Sequence, residues 1–163
     1  MAVKTPLIQT LVVAFDILDT IADGGESGLT LSDISERLEI HKSTALRMLC
    51  TLEKLNCVVH DNDTGKYRLG IHLLELGSTF LEGVDLRREA KPYLEELSAA
   101  SGEIVHLAIL DGESVVYIEK IEAPQVLTLY SRVGRRAPAT CTAVGKVLLA
   151  YADCEFKDRI SRG

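Results

Sequence analysis

The chain opens on a helical rhythm. Leu7, Leu11, Ala14, Leu18 and Ile21 recur at three- and four-residue spacing and predict a helix over 7–22, stopped by Asp23-Gly24-Gly25. Thr30 then stands as an N-cap with Asp33 in the position of a capping-box acid, and Leu31, Ile34 and Leu38 mark the buried side of a second short helix. Glu39-Ile40-His41 reads as a tight turn, after which a third helix starts at Ser43 or its neighbour. A short strand over 57–60 leads into the turn-rich run Asp61-Asn62-Asp63-Thr64-Gly65, and Lys66-Tyr67-Arg68-Leu69 is the return strand. Two tandem helices followed by a hairpin make the layout of a winged helix-turn-helix.

Past the hairpin the helical period returns. Leu73, Leu74, Gly77 and Leu81 predict one helix and Leu86, Ala90, Tyr93, Leu94 and Leu97 another, with a break at Gly83 or Val84. Pro92 lies inside the second pattern, where it should kink the helix or sit near its first turns. After Ser101-Gly102 the period changes to two. Strands are expected over 104–110, 115–121 and 126–130, with Asp111-Gly112 turning between the first two. A polar loop over 131–136 precedes an apolar helix over 143–152, and a further helix starts over 155–160. The expected class is α+β: a winged helix-turn-helix over 1–70, a linker helix over 71–84, and helices on a meandering antiparallel sheet over 85–163.

The third helix sorts its residues in a way that a merely buried helix does not require. With Ser43 at 0° and a step of about 100° per residue, Arg47 falls near 40°, Thr51 near 80°, Lys54 near 20° and Cys50 near −20°. Ala45, Met48, Leu49, Leu52 and Leu55 fall between about 120° and 240°. One face holds the helix on its domain, and the other offers hydroxyls and cations to phosphates and base edges. The candidate DNA contacts are Lys42, Ser43, Thr44, Arg47, Thr51 and Lys54 on this helix, and Lys66, Tyr67 and Arg68 on the wing. Two readings of the Tyr67 ring stand side by side: contact with the sugar-phosphate backbone, or packing beneath the hairpin.

Charge limits how that face can act. Eighteen Lys and Arg against 24 Asp and Glu give a formal net charge of −6, although many DNA-binding domains are basic. Within 1–70, Lys4, Arg37, Lys42, Arg47, Lys54, Lys66 and Arg68 face ten carboxylates, of which Asp16, Asp19, Asp23 and Glu26 cluster away from the reading helix. The positive field is therefore local, so one copy should bind DNA weakly and a dimer on two half-sites should bind usefully. No apolar run is long enough to span a bilayer, and 1–10 lacks the pattern of a signal peptide. The four cysteines have no CxxC spacing and read as reduced thiols; the expectation is a cytoplasmic protein without a metal site or cofactor.

A second chemistry is possible at 140–145. Thr140, Cys141 and Thr142 precede the apolar helix, whose amino-terminal amides and dipole favour an anion. Ala143, Val144 and Gly145 would present N–H groups to a carboxylate. The alternative is that Thr142 serves only as an N-cap and Gly145 only as a packing contact. Arg132, Arg135 and Arg136 read as a solvated loop. Cys141 as an activated nucleophile would need a base, and His41, His60, His72 and His106 offer none nearby in sequence, so an enzyme is not expected.

Four stretches resemble the IclR family of bacterial transcriptional regulators: Leu29-Thr30-Leu31-Ser32-Asp33-Ile34; Lys42-Ser43-Thr44-Ala45-Leu46-Arg47-Met48-Leu49; Tyr67-Arg68-Leu69-Gly70; and the run from Arg136 to Lys146. The resemblance implies a winged-helix domain joined by a linker helix to a GAF-like effector-binding domain. It also implies dimers or tetramers on palindromic operators in double-stranded DNA, often beside genes of carbon-source catabolism, and effectors that are small organic or aromatic acids. The family pattern commonly has His where this chain has Thr140. The family's effector domain is longer than 85–163, so the chain reads as a fragment or a truncated product with an incomplete ligand pocket. The competing class is a winged helix used for protein–protein contact without effector response.

Overall fold

The computed structural model describes residues 6–123, 132–153 and 156, which fall into two compact units, 1–79 and 80–163. The first unit begins with α1 (Gln9–Asp23), which starts after Ile8, and its Ile17, Leu18 and Ile21 enter the core. Leu7 and Leu11, part of the same periodic pattern, stay exposed.

Thr30 caps α2 (Leu31–Arg37) as its sequence position demands. Its Oγ1 accepts from the Asp33 N–H, and the Asp33 carboxylate accepts from the Thr30 N–H, which closes a capping box. The same residue ends a two-residue strand, β1 (Leu29–Thr30), that no periodicity announced.

The turn into α3 (Lys42–Lys54) passes through Glu39 at φ 52, a left-handed conformation that disfavours a side chain. Buried Ser35 holds that turn: its hydroxyl donates to Ile40 O at 2.6 Å, and the Ile40 N–H donates to Ser35 O at 3.1 Å.

β2 (Val58–Asp61) and β3 (Lys66–Leu69) form the hairpin, and the sheet order is β1-β3-β2, all antiparallel. Ile34, Leu49, Leu52, Val58 and Tyr67 complete the core against α1. Gly70 follows the hairpin directly beneath the preceding turn; a Cβ there would lie 2.2 Å from Asn56 O. Only glycine fits between the wing and α4 (Ile71–Glu82), which runs from one unit into the next.

In the second unit α5 (Asp85–Ser101) carries Pro92 in its interior and ends at Gly102 in the left-handed conformation. β4 (Val105–Asp111) and β5 (Ser114–Ile121) form an antiparallel hairpin, and β6 (Arg136–Pro138) pairs on the far side of β5. β6 replaces the end of the expected polar loop. It pairs over only three residues, one of them Arg136 in an ion pair with Asp111, so it has no apolar alternation to betray it. The expected strand over 126–130 lies outside the described residues, as does most of 155–160.

The register jumps from Leu107 opposite Glu119 to Ala108 opposite Tyr117, leaving Ile118 as the extra residue of a bulge in β5. A bulge breaks strict alternation, which accounts for Ile118 and Glu119 being buried in succession. Glu119 Oε2 lies 2.9 Å from Arg87 Nε of α5. Val115, Ala108 and Ala139 form a separate small core with Val144, Leu148 and Leu149 of α6 (Ala143–Tyr151).

Candidate nucleic-acid interface and effector segment

The wheel drawn for α3 matches its burial. Ala45, Leu49 and Leu52 are buried, whereas Lys42, Ser43, Thr44, Arg47, Cys50, Thr51 and Lys54 are exposed. Met48 is half-buried at the edge. Leu55 departs from the expectation: it is the C-cap residue, at the margin of the apolar arc, and is 57% exposed. Thr44, Arg47, Met48 and Thr51, with Thr10 of α1, line a shallow groove of about 240 Å³ beside the reading face.

His41 caps α3. Its Nδ1 accepts from the Ser43 N–H at 3.3 Å and lies 2.7 Å from Ser43 Oγ. The sequence places His41 in the turn before α3; its position immediately before the first helical residue is the signal for a cap, but histidine is not among the common N-cap residues.

The wing divides its three candidates. Lys66 is half-buried and Arg68 exposed, whereas Tyr67 is 6% exposed and belongs to the core. The Tyr67 ring stacks on His60 with centroids 4.3 Å apart and planes 21° from parallel. Burial, reinforced by Cys50 and Glu53, raises the Tyr67 hydroxyl above its ordinary pKa. Of the two readings for this residue, packing beneath the hairpin describes the ring.

Arg68 pairs with Asp61 at 3.7 Å across the hairpin. Hydrogen bonds from Thr64, then from Asp63, hold the Asp61 carboxyl below its ordinary value, so the turn stays ionised and tied.

In the second unit Thr142 is the N-cap of α6, with its Oγ1 accepting the Gly145 N–H at 3.0 Å. The Gly145 amide is thus committed to the cap, which leaves Ala143 and Val144 as the other first-turn amides. A Cβ on Gly145 would lie 2.1 Å from Ala139 O, so the glycine also serves close packing. Thr140 and Cys141 are exposed, with Thr140 Oγ1 and Cys141 Sγ 3.8 Å apart. Cys50, Cys57 and Cys141 are free thiols, and no metal-holding cluster occurs among the described residues. No described helix is long and apolar enough to cross a membrane.

Two family models divide the chain between them. Residues 10–62 match the IclR helix-turn-helix domain, and residues 78–161 match the bacterial transcriptional regulator IclR C-terminal domain. The chain belongs to the IclR family.

It is 42% identical over 148 residues to the HTH-type transcriptional regulator KdgR of Dickeya chrysanthemi, covering 91% of this chain and 48% of that protein. This IclR chain therefore spans about half the length of that relative. Among solved structures, an IclR regulator from Alicyclobacillus acidocaldarius superposes with a TM-score of 0.79 at 30% identity, over 96% of this chain and 64% of that one. An IclR homolog from Microbacterium hydrocarbonoxydans, complexed with 4-hydroxybenzoate, superposes with a TM-score of 0.78 at 28% identity, over 94% and 63%.

Proposed function

We propose that this chain is the DNA-reading and part of the effector-sensing portion of a sequence-specific transcriptional regulator that works in the cytoplasm. The observation that carries the reading is the division of α3. Every hydroxyl and cation from Lys42 to Lys54 is exposed, while its apolar residues Ala45, Leu49 and Leu52 anchor it to the core. Lys66 and Arg68 add backbone contacts from the wing, and Tyr67 supports them from beneath.

The reading needs two copies. The chain is net negative, so two local positive faces on a palindromic operator supply what one cannot. Apolar exposure on α1 and α4 supports a dimer: Leu11, Phe15, Leu74, Leu76 and Phe80 are all more than half exposed, and α4 buries no residue although Leu73, Leu74, Leu76, Phe80 and Leu81 fall on one side of it. A helix of that kind is ordinarily covered.

For the second domain we infer control by a small organic or aromatic acid, and with it control of a catabolic operon. The relative solved with 4-hydroxybenzoate and the family match over 78–161 support this reading. Thr140, Cys141 and Thr142, with the amides of Ala143 and Val144, are the assigned contacts, and Gly145 shapes the turn that carries them.

Selection of duplexes from a random pool, followed by titration of the selected sequence, tests the DNA half; failure to retain any duplex at low salt would reject it. Release of that duplex by 4-hydroxybenzoate or other small carboxylic acids tests the sensing half.

A further inference from the structure

The first turn of the reading helix contains a hydrogen-bonded pair whose direction is set by the tautomer of His41. The Ser43 N–H donates to His41 Nδ1 at 3.3 Å, and Ser43 Oγ stands 2.7 Å from the same nitrogen. An imidazole nitrogen that accepts an N–H carries no proton of its own. With Nδ1 as the acceptor the Ser43 hydroxyl has nothing to accept from His41, and at 2.7 Å it is the nearer donor, sharing the one Nδ1 lone pair with the more distant amide. In that tautomer the ring proton is on Nε2. Ser43 has then used its single hydroxyl proton within the protein, and only its lone pairs remain for an outside partner.

We propose that His41 is a positioning residue that fixes Ser43 as a hydrogen-bond acceptor, so that Ser43 selects a base edge bearing an exocyclic amino group. The inference rests on the DNA-binding reading given above. Ser43 is the second residue of α3, and the amino-terminal residues of a reading helix are those that meet base edges. In the major groove adenine N6 and cytosine N4 are donors, whereas guanine O6 and N7 and thymine O4 are acceptors. An unconstrained serine satisfies either kind by rotating its hydroxyl. A serine whose proton is held by His41 repels the acceptors. Thr51 on the same face is committed in the same sense, since its Oγ1 donates to Arg47 O at 2.9 Å. The face thus offers acceptors at Ser43 and Thr51 and donors at Arg47 and Lys54.

The test is selection from a pool of duplexes with randomised base pairs, run in parallel on the whole chain and on His41→Ala, His41→Asn and Ser43→Ala. The wild type should enrich adenine or cytosine over guanine or thymine at one position of each half-site, by about threefold to tenfold for a single hydrogen bond. Ser43→Ala and His41→Ala should flatten that position and leave the others unchanged. His41→Asn, which supplies another side-chain acceptor at the N-cap, should restore the preference. Nitrogen-15 NMR of the free protein should show His41 as the Nε2–H tautomer, a readout that needs no DNA. An unchanged base profile in His41→Ala, or an Nδ1–H tautomer, overturns this inference while the DNA-binding reading stands. If the wild type retains no duplex, the function and the inference fall together.

Discussion

Thr30 and Asp33 hold each other at the start of the helix-turn-helix: the Thr30 N–H donates to Asp33 Oδ2 at 2.8 Å, and the Asp33 N–H donates to Thr30 Oγ1 at 3.2 Å. Thr30→Ala removes the side-chain half of this box and should cost about 1 kcal/mol in urea unfolding of the first unit. The box also has a pH signature. The Thr30 hydroxyl and amide keep the Asp33 carboxyl below its ordinary value of 3.8. A lowered folded pKa gives stability that is fully present above the unfolded value and is lost as pH falls through the folded one. Asp61 of the wing is lowered in the same direction. The helix-turn-helix should therefore lose stability below pH 3.8, and Asp33→Asn should weaken that acid dependence. An identical pH profile in the variant would remove Asp33 from the account.

Arg47 and Lys54 share the exposed face of α3 but should act differently on DNA. Arg47→Ala should weaken operator binding by about 1–3 kcal/mol and relax base preference at one position. Lys54→Ala should weaken binding to all sequences alike and lower the slope of log affinity against log salt by about 1. Both residues are exposed, so circular dichroism and melting temperature should not change. Equal loss on selected and random duplexes for Arg47→Ala would assign it to phosphate alone.

Tyr67 separates packing from contact. Its ring is in the core and stacks on His60, so Tyr67→Ala should cost about 3–5 kcal/mol, as large aromatic truncations do. Tyr67→Phe keeps the ring and should leave DNA affinity within about twofold, less than the loss of a typical hydrogen bond of about 1 kcal/mol. A larger loss of affinity in a stable Tyr67→Phe protein would return the hydroxyl to the interface.

Gly145 and Thr142 distinguish the cap from the ligand contact. Gly145→Ala places a Cβ against the Ala139 carbonyl and should destabilise the second unit by about 1–3 kcal/mol while the first unit melts as before. Thr142→Val removes the acceptor for the Gly145 N–H and should cost about 1 kcal/mol. If Thr142 also binds an effector, the variant should bind a carboxylic acid more weakly than its stability loss explains. Equal affinity in isothermal titration would leave Thr142 with the cap alone.

The first unit was legible because its signals are local. The capping pair is three residues apart, the α3 face repeats every turn, and the return strand occupies Lys66–Leu69 as its pattern predicted. What escaped depends on distant pairing. β1 exists because Leu29 and Thr30 meet Tyr67 and Lys66, and two residues cannot display a period. β6 and the bulge at Ile118 are likewise set by partners across β5. At the candidate site, charge and hydroxyl type could be read directly, but the direction of each hydroxyl could not. His41 acquires its part only from the geometry of the turn that delivers it to Ser43.

The proposed function draws its DNA affinity from a dimer, and the exposed side of α1 is where that proposal can be tested without harming the fold. Phe15 is 66% exposed and lines an apolar groove of about 350 Å³ with Leu11, Leu55, Leu73 and Leu76. Phe15→Glu places a charge where a partner would bury an aromatic ring, while leaving Ile17, Leu18 and Ile21 of the core untouched. Sedimentation should shift from dimer to monomer at micromolar concentration, with the melting temperature of the first unit changing little. Binding to a palindrome should fall to the level of a single half-site, because the second positive face is no longer delivered with the first. A Phe15→Glu protein that remains dimeric and binds the palindrome normally would move the interface off this groove.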